Sequence, residues 1–197
     1  FFMNNFLGQI NAKHGIFRFS LNDEYIGSAL NEYGEFSEIE FSIMNKFIEK
    51  DDVVFDIGSN IGAFTIPFAK KVGPKGKVFA FEPQSFIYNL LKDNVKLNNL
   101  KNINLFKNGV GERERNIKID EMDFTFAGNF GGFTLTSAYS NSNCGVVKNI
   151  KKKNVKIIKL DDFLHIDRCN FIKIDVEVME MEVLKGAKKF LNKYKPI

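Results

Sequence analysis

Val53-Val54-Phe55-Asp56-Ile57-Gly58-Ser59-Asn60-Ile61-Gly62 reads as a short buried strand running into a glycine-bearing turn. Val53 to Ile57 is apolar except for Asp56, near its C-terminal end. Gly58 and Gly62 allow a tight turn and the close approach of a ligand. Asn60 stands where dinucleotide-binding turns usually carry a second glycine, and asparagine tolerates left-handed backbone better than most residues. A helix is expected over residues 60–72, stopping at Gly73-Pro74, with free N–H groups at its start that can hold an anion such as a carboxylate. Phe79-Ala80-Phe81-Glu82 is the next strand and Pro83 closes it. Strand, turn, helix and a second strand ending in an acid is how an α/β sheet holds a nucleoside, the acid accepting hydrogen bonds from both ribose hydroxyls.

The turn discriminates between nucleosides. A G-x-G-x-x-G fingerprint laid from Gly58 would need glycine at Asn60 and Ala63. The middle glycine lets a pyrophosphate come close, and S-adenosylmethionine has no pyrophosphate. The stretch therefore favours S-adenosylmethionine over NAD, and with it a methyltransferase. The plain alternative is a strand-turn-helix without a ligand, in which Asp56 caps and Glu82 is solvated.

At 197 residues the chain is expected to form one domain with a substantial core. Its net charge of +4 comes almost wholly from lysine, the arginines being Arg18, Arg113, Arg115 and Arg168. Arginine reads phosphates and bases bidentately, so its scarcity argues against a nucleic-acid partner. No apolar run reaches the roughly 18 residues of a membrane span. The start lacks the charged and apolar regions of a signal peptide. Cys144 and Cys169 have neither metal-ligand nor redox spacing, and a reduced pair in a cytoplasmic protein is expected, with one disulfide as the alternative. Both ends read as cut: no initiator Met stands at position 1, and a new strand is about to begin at Lys195-Pro196-Ile197.

Residues 15–30 alternate loosely and suggest a hairpin. Ser37 and Glu40 suggest a capping box opening a helix to Lys50, with Ile39, Ile43 and Phe47 on its apolar side. Residues 1–50 are thus expected as a hairpin and helix extension packed on a core domain of residues 51–197. Ser85 opens a helix ending near Asn98-Asn99, and Ile103 to Phe106 is a third strand. Residues 116–160 read as an insertion of the kind that shapes a substrate site, with a strand over 154–160. Its lysines, Lys148, Lys151, Lys152, Lys153, Lys156 and Lys159, suit either a phosphorylated substrate or a solvated edge. Phe171 to Asp175 is the next core strand, Val176-Glu177-Val178 a turn, and Met179 to Leu191 a helix with Val183, Leu184, Ala187 and Leu191 inward.

These motifs together resemble FkbM-type methyltransferases. The resemblance runs through Gly34 to Glu40, Asp56 to Gly62, Phe81-Glu82-Pro83, Leu160-Asp161-Asp162-Phe163, Ile174 to Glu180 and Val183 to Ala187, in order, over about residues 30–197. It implies an α/β, doubly wound, Rossmann-like class I sheet with flanking helices, lacking its C-terminal strands here. It also implies S-adenosylmethionine as cofactor and, usually, O-methylation of a sugar, glycan or natural product. Carried over by position, Asp56, Gly58, Ser59, Asn60 and Gly62 would line the methionine end, Glu82 would hold the ribose and Asn108 would lie near the adenine. Asp175 and Glu177 would face the methyl group. The family usually has glycine where this chain has Val178, which is costly if the turn needs positive φ and narrows the pocket if the glycine was there for close approach.

A sugar hydroxyl is a poor nucleophile and benefits from a nearby base, for which Asp175 or Glu177 is the candidate. The pair could instead bind a divalent metal, share a proton or cap a helix; no metal is expected. His14 and His165 are expected at the surface, and Asp161 and Asp162 could merely cap the next turn. Enzymes that methylate base amino groups carry an aromatic in the turn after the fourth strand, and Asp175 to Val178 offers none. The remaining rivals are a nucleic-acid ribose methyltransferase and a degenerate fold without turnover.

Overall fold

The computed structural model describes residues 6–120, 122–135 and 152–197. It opens with strands β1 (Leu7–Ala12) and β2 (Gly15–Ser20) and helices α1 (Ile26–Tyr33) and α2 (Glu38–Met44). Strand β3 (Val53–Ile57), helix α3 (Thr65–Val72), strand β4 (Lys77–Phe81), helix α4 (Ser85–Leu97) and strand β5 (Ile103–Phe106) follow. Three strands come next: β6 (Gly109–Val110), β7 (Arg115–Asp120) and β8 (Lys152–Ile158). A 3₁₀ turn at Leu160–Phe163 leads to β9 (Phe171–Ile174), α5 (Glu180–Lys185) and α6 (Lys188–Tyr194).

The central sheet is parallel, in the order β5-β4-β3-β9. The chain leaves β3 toward β4 on one side, while β9 returns on the other, so the strand order reverses between β3 and β9. A crevice opens at the carboxyl ends of strands at such a point. This is the expected doubly wound α/β class. Residues of β3 alternate between two buried layers. Val53, Phe55 and Ile57 face a cluster with Phe81, Leu160, Phe163 and Phe190, and Val54 faces α3 through Phe68 and Val72. The first layer is largely aromatic: Phe55 stacks on Phe79 at 4.6 Å between ring centroids, and the Phe163 ring meets Phe81 edge-on at 5.5 Å.

Several local expectations are corrected. The hairpin lies at residues 7–20 rather than 15–30, because Ile26, Gly27 and Leu30 bury one face of a helix. Ser37 and Glu40 form no capping box: Ser37 is left-handed (φ 49°) and its side chain makes no cap hydrogen bond. Helix α2 stops at Met44, and Ile39, Ile43 and Phe47 are exposed, Ile39 by 78%; Phe41 and Met44 are the residues packed inward. Helix α3 starts at Thr65 and not at Asn60, since positive φ at Asn60 and Gly62 holds the preceding residues in turns. Ser85 is the first helical residue of α4 and its side chain does not cap it. The strand expected over 154–160 is β8, ending before the 3₁₀ turn in which Asp162 Oδ2 accepts from the Lys159 N–H (3.3 Å). The helix expected over 179–191 is two helices broken at Gly186, where a Cβ would overlap the Gly111 carbonyl oxygen, and Leu184 faces outward.

The free edge of β2 is completed by side chains of α4. Asn94 accepts from the Arg18 N–H (2.6 Å) and donates to the Arg18 carbonyl (3.0 Å). Asn98 does the same for Ile16, at 3.0 and 2.7 Å. Two amides one helical turn apart thus stand in for a neighbouring strand and seat the hairpin on the core. Beside the central sheet, β7 and β8 pair antiparallel and β6 and β8 parallel. No described helix is long and apolar enough to cross a membrane.

Candidate active site

The turn after β3 is closed by its own backbone. The N–H groups of Gly58 and Ser59 both donate to the Phe81 carbonyl, each at 3.0 Å, and the Gly62 N–H donates to the Ser59 carbonyl at 2.9 Å. Ser59 Oγ donates to the Asp56 carbonyl (2.7 Å) and the Ile61 N–H to Asn60 Oδ1 (2.7 Å). Gly58 has φ +83°, and a Cβ there would overlap the Asp175 carbonyl oxygen. Only glycine satisfies both constraints.

Glu82 follows β4 and is buried. Its Oε2 accepts from the Asn60 N–H (3.1 Å) and its Oε1 from the Gln84 N–H (2.8 Å). Each oxygen keeps a lone pair for one further donor. Burial pushes its carboxyl up to about 7, against the opposing pull of the two N–H groups and of Lys173.

Asp56 and Lys173 are register partners across β3 and β9, with side chains on the same face. Asp56 is fully buried; its Oδ2 accepts from Thr65 Oγ1 (2.6 Å), and its Oδ1 receives no hydrogen bond and lies 3.2 Å from Lys173 Nζ. Lys173 Nζ donates to the Gly58 carbonyl (2.9 Å), stands 3.6 Å from Asp175 Oδ2 and sits 5.5 Å from the centre of the Phe64 ring.

The turn after β9 carries the two acids. Asp175 has its side chain 62% exposed, while its N–H donates to the Ile57 carbonyl at 3.0 Å. Glu177 and Val178 are both left-handed, with φ 44° and 74°. The Glu177 carboxyl is pushed up by burial first, then by the Asp175 and Glu180 charges.

A cavity of about 310 Å³ occupies the crevice. Gly58, Ser59, Asn60, Glu82, Asn108, Asp175 and Glu177 line it, so seven of the nine residues singled out in the sequence meet there. Asp56 lies beneath the turn instead, and Gly62 packs against α4, where a Cβ would stand 2.8 Å from Leu91 Cδ1. Val178 does not line the cavity and is half exposed, so of the two costs weighed for it the backbone cost is the one incurred. Lys173 was missed, although its place two residues before Asp175 puts both on one face of a strand. Tyr25, Ile26 and Phe36, from the first 50 residues, and Phe133 and Leu135 also form part of the cavity wall. Asp23 ties these pieces together, accepting from the N–H groups of Tyr25 (3.2 Å), Gly27 (3.0 Å) and Phe130, beside a β-bridge from Asp23 to Gly128.

Other candidates stand elsewhere. His14 pairs with Glu38 (2.6 Å) and His165 meets the Asp162 carbonyl (3.2 Å), both away from the cavity. Asp161 Oδ1 caps α6 through the Phe190 N–H (2.9 Å). Lys156 pairs with Glu114 and Lys159 with Asp162; Lys148, Lys151 and Cys144 lie outside the described residues. Cys169 is buried, which pushes its thiol up to about 12. Among the described residues no cluster of three His, Cys, Asp or Glu could hold a metal ion.

Comparison with known proteins adds a family. The profile of the Methyltransferase FkbM domain matches residues 56–197. "Methyltransferase 1" of Beauveria bassiana is 27% identical over 173 residues, covering 76% of this chain and 67% of the relative. "Methyltransferase sdnD" of Sordaria araneosa is 28% identical over 160 residues, covering 68% of this chain and 60% of the relative. Among solved structures, the methyltransferase FkbM of Methylobacillus flagellatus is 21% identical with a TM-score of 0.49, over 75% of this chain and 32% of that one. The cavity fits the cofactor of that family: a buried carboxylate with two lone pairs to spare, beside a glycine turn at the carboxyl end of the sheet, suits a ribose. The chain belongs to the FkbM methyltransferase domain family, and its cofactor is S-adenosylmethionine.

Proposed function

We propose that this chain transfers a methyl group to a hydroxyl of a sugar, a glycan or a hydroxylated natural product. The observation that carries the reading is the pair of carboxylates, Asp175 and Glu177, on the cavity at the carboxyl end of β9. A hydroxyl must be oriented and relieved of its proton, and carboxylates do both.

When bound, S-adenosylmethionine supplies a methyl group on a sulfonium. Gly58, Ser59 and Asn60 hold the methionine end, and Asp56 supports that turn from below. Glu82 accepts from the ribose hydroxyls, and Asn108 lies by the adenine. Asp175, exposed toward solvent, receives and orients the acceptor hydroxyl. Glu177, whose carboxyl is made more basic by burial and then by the neighbouring Asp175 and Glu180 charges, takes the proton. The extension of residues 1–50 acts with the domain of residues 51–197, since Tyr25, Ile26 and Phe36 close the acceptor side.

The test is methyl transfer from labelled S-adenosylmethionine to a panel of glycosides, phenols, amines and RNA. Transfer to hydroxyls, lowered about 100-fold or more in Asp175→Ala or Glu177→Ala with S-adenosylhomocysteine affinity kept, is expected. Transfer to amines alone would overturn the reading, and transfer to RNA ribose would move it to nucleic acid.

A further inference from the structure

We infer that Lys173 is the carboxylate-binding residue of the cofactor site: its ammonium receives the carboxylate of the methionine arm. The inference rests on the S-adenosylmethionine reading of the cavity and names a ligand contact within it.

The first argument concerns the backbone donors of the glycine turn. The start of a helix after a glycine turn is the usual place for an anion. Here the donors of residues 58–62 are already used. The N–H groups of Gly58 and Ser59 go to Phe81, that of Asn60 to Glu82, that of Ile61 to the Asn60 side chain and that of Gly62 to Ser59. In the first turn of α3, the Ile66 N–H goes to the Gly62 carbonyl, the Phe68 N–H goes to the Phe64 carbonyl, and Pro67 has no N–H.

The second argument is charge. Among the described residues lining the cavity, Lys173 is the one with a cationic side chain, against the three carboxyl groups of Glu82, Asp175 and Glu177. The methionine arm carries an ammonium, a sulfonium and a carboxylate. Its positive groups have acids to meet, and its carboxylate has Lys173.

The third argument is geometry. Lys173 Nζ touches the Gly58 carbonyl at 2.9 Å, so it stands at the turn where the methionine arm is placed. Asp56 Oδ1 is close at 3.2 Å without a hydrogen bond, and Asp175 Oδ2 at 3.6 Å is beyond one. An ammonium has three donors, so this one retains N–H groups for a ligand. Asp56 balances the buried charge and fixes the ammonium in place.

The test is calorimetric and needs no acceptor. The probes are S-adenosylhomocysteine and its decarboxylated analogue, 5′-S-(3-aminopropyl)-5′-thioadenosine, which lacks only the carboxylate. Lys173→Met should weaken S-adenosylhomocysteine about 10-fold or more, the range for a hydrogen bond between charged groups, and leave the analogue within about 2-fold. Wild type should prefer S-adenosylhomocysteine by a similar factor. Equal losses for both probes would make Lys173 a support of the turn and overturn the inference, as would no loss for either. The ratio of the two affinities is internal to each variant, so a partly destabilised protein still reports. If Lys173→Met does not fold, Lys173→Met with Asp56→Asn removes the uncompensated charge, and the same ratio decides. Failure of wild type to bind either probe would overturn the cofactor reading itself, an outcome distinct from failure of Lys173.

Discussion

The backbone of Asp175 fills the space where a Cβ on Gly58 would lie, so the glycine turn after β3 and the acidic turn after β9 are built in contact. Neither can move without the other, and the Asp175 N–H bound to the Ile57 carbonyl at 3.0 Å locks the same junction. Gly58→Ala would have to open this contact and also hold alanine at φ +83°. We expect a loss of about 3 kcal/mol in urea denaturation, together with weakened S-adenosylhomocysteine binding. Wild-type stability in this variant would mean that the two turns are not in contact.

Glu82 should couple cofactor binding to pH. Burial raises its carboxyl from 4.5 to about 7, so between those values the folded chain holds a proton that the unfolded chain has released. The resulting stability is present at low pH and is lost as pH rises through about 7. Relative to Glu82→Gln, wild type should lose up to roughly 3 kcal/mol across that window. Ribose hydroxyls donate to the ionised form, so S-adenosylhomocysteine should bind more weakly as pH falls below about 7 and should release protons on binding near pH 6.5. Calorimetry in buffers of different ionisation enthalpy reads the proton count, and none released would remove Glu82 from the ribose site.

The central strands were legible because each is a short apolar run punctuated by glycine, proline or an acid, and such a run has few alternatives to a buried parallel strand. Ile103 to Phe106 came out residue for residue. Helix starts were harder: Asn60 and Gly62 take positive φ, and propensity does not reveal that the following residues are turns. Ile39 and Ile43 show the limit of periodicity, which marks an apolar face without saying whether anything covers it. Lys173 was passed over because a lysine in a strand reads as solvated; its spacing from Asp175 is the one local signal, and its register with Asp56 ties it to the site. The wall of Tyr25, Phe36 and Phe133 joins segments far apart in sequence, which no local pattern encodes.

Asp23 should prove to be the clasp of that wall. It is buried and accepts backbone N–H groups from both the extension and Phe130, so Asp23→Ala leaves several donors without an acceptor. A loss of about 2–3 kcal/mol is expected, from the cost of buried unpaired donors. Limited proteolysis should cut first between residues 20 and 26 in the variant. Unchanged stability and cleavage would show that the extension is held by its other contacts, chiefly Asn94 and Asn98.

Val178 should be replaceable at a gain. It holds a β-branched side chain at φ 74°, 48% exposed, outside the cavity lining. Left-handed backbone costs a residue with a Cβ about 1–2 kcal/mol, and glycine avoids that cost. Part of the gain returns through the greater freedom of glycine in the unfolded chain, so Val178→Gly should stabilise by about 1 kcal/mol in urea denaturation. Because Val178 does not line the cavity, S-adenosylhomocysteine affinity should stay within about 2-fold, well under the tenfold that 1.4 kcal/mol represents. A destabilised Val178→Gly would show that the side chain makes packing contacts outweighing its backbone strain.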